Sequence, residues 1–216
     1  MLSLTMSDQT VNLVVFAFGI TAYITAVAQM IRGRYRPSFF SRGVWFLLGI
    51  ISFAGVFFGE GSSASTVLAA SLFLGNTAVF VVSYKRGSRE FGLVEAISLC
   101  LLALSVIGWA IFNSPQVGLI TSLSAHFIGG IPTIWRVLRR PETEQAYHWY
   151  FFFVGCVISI AFGSHDNLRA VIFPLYFAFF DGLIILLANR KFLYQKSKGA
   201  TSIIWRLRRV LLGRGR

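Results

Sequence analysis

The sequence predicts an all-α integral membrane protein, with seven transmembrane helices arranged as two parallel three-helix repeats joined by a linker helix. Three observations carry that expectation. Long apolar runs recur along 216 residues of which 56% are hydrophobic and only 13% charged, with a mean hydropathy of +0.69, whereas a soluble domain is about a quarter charged. The basic residues fall on one side of those runs. The chain also matches itself when Arg32 is laid on Arg136.

A helix needs roughly 20 apolar residues to cross the hydrocarbon core. The runs of that kind cover 10–31, 43–60, 64–84, 93–112, 115–138, 149–164 and 168–189. No basic stretch precedes the first run, which is long enough to span and reads as a retained helix rather than a cleaved signal. Residues 1–92 form the first three-helix unit, 93–114 the linker helix, 115–191 the second unit and 192–216 a basic cytoplasmic tail. Cys100 and Cys156 lie inside apolar runs and read as buried thiols, not a disulfide framework.

Arg32, Arg34, Arg36 and Arg42 follow the first run, Lys85, Arg86 and Arg89 the third, and Arg136, Arg139 and Arg140 the fifth. Nine more lie between Arg190 and Arg216, leaving Arg169 as the single exception among twenty. Positive charge in short loops stays cytoplasmic, so the N-terminus is expected outside and the C-terminus inside, which requires an odd number of crossings. The net charge of +12 then reflects topology and attraction to anionic lipid rather than nucleic acid. In the tail, Ile203, Leu207, Val210 and Leu211 share one helical face, while Arg206, Arg208 and Arg209 are assigned to the lipid headgroups.

The self-match pairs Arg36 with Arg140, Pro37 with Pro141, Trp45 with Trp149 and Phe58-Gly59 with Phe162-Gly163. One residue of slippage then lays Lys85-Arg86 on Arg190-Lys191 and Asn76 on Asp181. Each unit of three spans begins outside, and the fourth span inverts the chain between them, which is what makes the repeats parallel. Trp45 and Trp149, close to the basic loops, read as interfacial anchors.

At this level the chain resembles the SWEET and PQ-loop superfamily of small transporters, across nearly its whole length. That family carries Pro-Gln near the inner half of its first and fifth helices. Here the first unit reads Ala28-Gln29-Met30-Ile31-Arg32 and the second Pro132-Thr133-Ile134-Trp135-Arg136, each keeping one half of the dipeptide. The resemblance implies a polar pair at mid-depth of the third and seventh helices facing the substrate, where Asn76 and Asp181 stand. It also implies sugar, vitamin-precursor or amino-acid substrates, with Gln29 and Thr133 joining the binding set.

Ionisable groups within spans are costly and usually face a bundle interior or a wet cavity. Asp181, mid-span with no adjacent base, is the candidate for substrate binding or proton coupling, opposite Asn76. His126 projects to a similar depth and is a candidate for the same cavity. Pro132 frees a carbonyl one turn earlier and, with Gly129 and Gly130 before it, forms a candidate hinge. Glu95 is expected to pair with Lys85, Arg86 or Arg89, and Pro141-Glu-Thr-Glu to be solvated.

No Cys/His cluster has metal-ligand spacing and no Gly-rich phosphate loop follows a strand, so neither enzyme nor cofactor is expected. The expectation is a multi-pass carrier of a small polar solute in a bacterial inner (plasma) membrane, alternating access between two bundles, as a monomer or small homo-oligomer. The alternatives are a lipid-handling protein or a receptor or assembly protein on the same scaffold, as in KDEL receptors. A basic cavity wall favours the receptor; aromatic and amide groups around one acid favour the carrier.

Overall fold

The computed structural model describes residues 7–59, 61–89, 91–139, 141, 147–163, 168 and 170–190. The described chain is helical, with an isolated bridge between Ser38 and Ser88 as its extended pairing. The helices are α1 (Asp8–Ile31), α2 (Phe39–Phe58), α3 (Ser63–Arg86), α4 (Leu93–Phe112), α5 (Pro115–Arg139), α6 (Tyr147–Phe162) and α7 (Ala170–Arg190). Six of them are long and apolar enough to cross a membrane. The exception is α6, whose 16 residues rise only about 24 Å at 1.5 Å each.

Sequence-encoded caps set the boundaries. Ser7, Ser38 and Ser62 accept from the backbone N–H groups of Thr10, Ser41 and Ser65, satisfying first-turn donors that have no helical partner. The Ser38 cap starts α2 four residues before the apolar run does, so Arg42 belongs to the helix rather than to a loop. Its guanidinium is accommodated by aromatic neighbours: it donates to Tyr35 Oη and lies 4.4 Å over the Trp45 ring. Asn113 takes a left-handed conformation (φ 45°) between α4 and α5, and Pro115 opens α5, where its missing N–H costs nothing.

Helix α3 packs against both α1 and α2; α1 also packs against α6, α2 against α5, and α4 against α5 and α2. Helix α7 buries one face, with Phe173, Phe177, Phe180, Asp181 and Ile184 all buried. The exterior is the reverse of a soluble protein's, for Leu13, Ile24, Val81, Ile111 and Leu186 are each 60–70% exposed. Lipid offers such side chains what a core would, so association depends on close packing and hydrogen bonds. Gly75 shows the close packing: a Cβ there would lie 2.0 Å from the Tyr23 ring.

Two sequence readings are corrected. Cys100 is exposed on the outside of α4, while Cys156 is buried, because the apolar run of a membrane helix includes its outward face. Glu95 is not held by the neighbouring cations: its Oε1 accepts from Ser41 Oγ at 2.5 Å and its Oε2 from the Gly92 N–H at 3.0 Å. It caps α4 and ties it to α2. Arg89 instead lies 4.4 Å over Phe39 and donates to the Tyr84 carbonyl. The tail with Arg206, Arg208 and Arg209, the acidic loop after Pro141, Arg140 and Arg169 lie outside the described residues.

Candidate functional site

Asp181 stands nine residues before the end of α7 at Arg190, about 13 Å of helix from the basic end. It is 1% exposed and its Oδ2 has no hydrogen-bond partner. It lines a cavity of about 30 Å³ with Ala22 and Tyr23 of α1, Trp45 of α2, His126 of α5, His148, Trp149 and Phe152 of α6, and Phe177. That volume is room for about one water molecule. The cavity is therefore narrow in this conformation, and its wall draws on five of the seven helices, α1, α2, α5, α6 and α7.

Aromatic rings form most of the wall. Tyr23 meets Phe152 edge-on at 5.9 Å, and Phe152 meets Phe177 at 5.4 Å and 70°. Trp45 and Trp149 are 6.5 Å apart at 69°. These two tryptophans were expected at the membrane interface; both are buried, at 8% and 6% exposure. The correction follows from helix geometry, since each lies on the side of its helix that faces the seam between α1–α3 and α5–α7. Trp149 keeps its indole N–H buried and unpaired.

His126 is held by its neighbours. Its Nδ1 lies 2.9 Å from Tyr176 Oη, and its ring is within 5.0 Å of Trp45, Phe177 and Phe180. The structure thus brings His126 and Asp181 to one cavity. Asn76 is buried at 2%, with its Oδ1 unpaired, but it is not among the residues that line the cavity. Gln29 and Thr133 are half-buried and also lie outside that wall. Helix α5 continues through Pro132. Gly130 lets the Phe180 ring approach, for a Cβ there would lie 2.4 Å from it, and Gly129 lies against Ser98 and Trp45.

Contacts cross the seam at both ends. At the non-basic end Ser65 Oγ donates to the Ala170 carbonyl at 2.5 Å, Ser62 Oγ to the same oxygen at 3.3 Å, and Gln116 Nε2 to the Gly59 carbonyl at 3.3 Å. Midway, Ser52 and Ser122 share a buried hydrogen bond of 3.0 Å. At the basic end Tyr35 meets His148 at 6.0 Å. Within α5–α7, Arg190 donates to the Val137 carbonyl at 3.0 Å and also to that of Leu138, and Asn189 to Tyr150 Oη at 2.5 Å.

Sequence reasoning missed Tyr23, His148, Phe152, Phe177 and Tyr176 as parts of the site. The pairing of Trp45 with Trp149 in the self-match was the available signal, because positions kept in both units at one depth are candidates for a shared seam. Among the described residues no group of His, Cys, Asp and Glu is placed to hold a metal ion. No protein-family model, curated protein or solved structure matches this chain.

Proposed function

We propose that the protein is a small-solute membrane carrier whose central site lies at the seam between α1–α3 and α5–α7. The observation that carries the reading is Asp181: a carboxyl group buried near the middle of an apolar helix, with an unpaired oxygen, lining a narrow cavity among five helices. A buried ionisable group in a span is expensive to keep and marks a solute or proton path. The packing supports two related units, because α1 against α6 and α2 against α5 are the contacts that exchanging the units would interchange. The 3+1+3 architecture, SWEET-like kinship, outside N-terminus and inner-membrane location belong to the same proposal.

In this reading the structure is an occluded state. Parting the serine contacts at one end, or the Tyr35–His148 contact at the other, opens the seam to one side at a time. Asp181 carries the solute's charge, a coupling proton, or each in turn. The described wall residues include no Arg or Lys, which suits a carrier better than a receptor for a peptide carboxylate.

The test is solute counterflow in proteoliposomes, preceded by thermal stabilisation of the purified chain against sugars, nucleosides, vitamins, amines and amino acids. A ligand that binds only the folded protein raises its apparent stability. A hit with counterflow, lost in Asp181→Asn while the variant still folds, is the expected result. A panel that is flat for wild type and variant alike, with no counterflow, would sink the carrier reading.

A further inference from the structure

The cavity wall specifies a ligand class, an inference that rests on the carrier reading above. We propose that the site takes a compact organic ammonium ion, its nitrogen held between the Asp181 carboxylate and the faces of the surrounding rings. Five of the nine lining residues are Trp, Tyr or Phe, and their steep mutual angles make them the walls of a box rather than a stack. Aromatic faces attract cations, Trp most strongly, and the attraction grows when water is excluded. No ion pair to Asp181 is present among the described residues, so an incoming cation would itself supply the countercharge that favours the ionised carboxylate, within largely aromatic walls.

Other solutes fit this wall less well. A sugar presents many hydroxyls, and burying each without a partner is costly. His126 Nδ1 is already engaged by Tyr176, while Asp181 Oδ2 is an unpaired acceptor and the Trp149 indole N–H an unpaired donor. An anion would meet the carboxylate. A metal ion needs several oxygen ligands, and one carboxylate stands here. An ammonium with a small apolar body and one acceptor oxygen uses the acid, the rings and the indole N–H together. The cavity is too small for it while the ends are shut, but its wall spans both three-helix units, so parting them widens it.

The probe pair is choline and its uncharged isostere, in which carbon replaces the nitrogen. The full chain in detergent is titrated with each, and with glucose, while thermal unfolding is followed. Choline is expected to raise the apparent stability saturably, with the isostere at least about tenfold weaker, a gap of about 1.4 kcal/mol. Asp181→Asn should abolish the choline effect and Asp181→Glu retain part of it. Phe177→Leu and Trp149→Phe, which keep the charge, should each weaken it, so the inference stays testable even if Asp181→Asn does not fold. Equal binding of choline and the isostere would overturn it. So would Asp181-dependent binding of a sugar or amino acid without choline, although the carrier reading would then stand. If no solute binds and no counterflow occurs, leaving Asp181 a protonation site alone, both readings fall.

Discussion

Trp45 and Trp149 fall on the same position when the chain is laid on itself, and in the folded protein they meet, ring centroids 6.5 Å apart and planes at 69°. Each brings a large ring to the seam, Trp45 from α2 and Trp149 from α6. Residues that occupy equivalent places in two related units approach each other when those places face the axis relating the units. The pair links two positions of the sequence self-match to the cavity that both residues line.

Trp45→Ala and Trp149→Ala should each cost about 3–5 kcal/mol, the usual range for deleting a buried large aromatic. Because the rings touch each other and Trp149 also touches Phe180, the double variant should lose less than the two singles added. Unfolding midpoints of the purified variants check this. Simple addition would mean the rings act independently.

Gly75→Ala tests how the cavity keeps its shape. The added carbon would lie 2.0 Å from the Tyr23 ring, so α1 and α3 must part or the ring must swing toward Asp181. Overpacking of this kind costs about 1–3 kcal/mol. Tyr23→Leu should recover most of the loss in the double variant. No recovery would show that the clash is taken up elsewhere.

Glu95 separates a cap from an ion pair. Glu95→Gln keeps an oxygen for the Gly92 N–H and turns its NH2 to Ser41 Oγ, which can accept in place of donating, so it should change stability by less than about 0.5 kcal/mol. Glu95→Ala removes both bonds and should cost about 1–2 kcal/mol. Thermal unfolding at low and high salt reads the difference. A salt-dependent loss in Glu95→Gln would restore an electrostatic role.

The helix positions were legible because the bilayer demands long apolar runs, and α4 matches its expected range from Leu93 to Phe112. The start of α2 was not, since Ser38 caps it ahead of Arg42 and hydropathy does not register caps. At the site, Asp181 was visible because a lone acid in a span is conspicuous, and His126 for a related reason. The box of rings was not. In a chain with 22 Phe, composition does not distinguish Phe177, which lines the cavity, from Phe179, which is 62% exposed. Only the rotation of α7 about its axis does so, and that is decided by packing. The same difficulty hid Trp45 and Trp149, whose nearness to basic residues suited an interface equally well.

The two closures make opposite predictions about access. With Cys100 and Cys156 replaced by Ala, a cysteine at the cavity-lining position Ala22 reports when aqueous reagent reaches the seam. Ser62→Ala with Ser65→Ala removes two hydrogen bonds to the Ala170 carbonyl. At about 1 kcal/mol for each bond, the non-basic end should open more often and labelling from that side should rise by roughly tenfold or more. Tyr35→Ala removes the contact with His148 and should raise labelling from the basic side instead. Proteoliposomes of defined orientation, labelled with an impermeant maleimide on one side at a time, separate the two. Variants that raise labelling equally from both sides would show that the ends do not close independently. The seam would then be a static packing interface, and alternating access along it would be excluded.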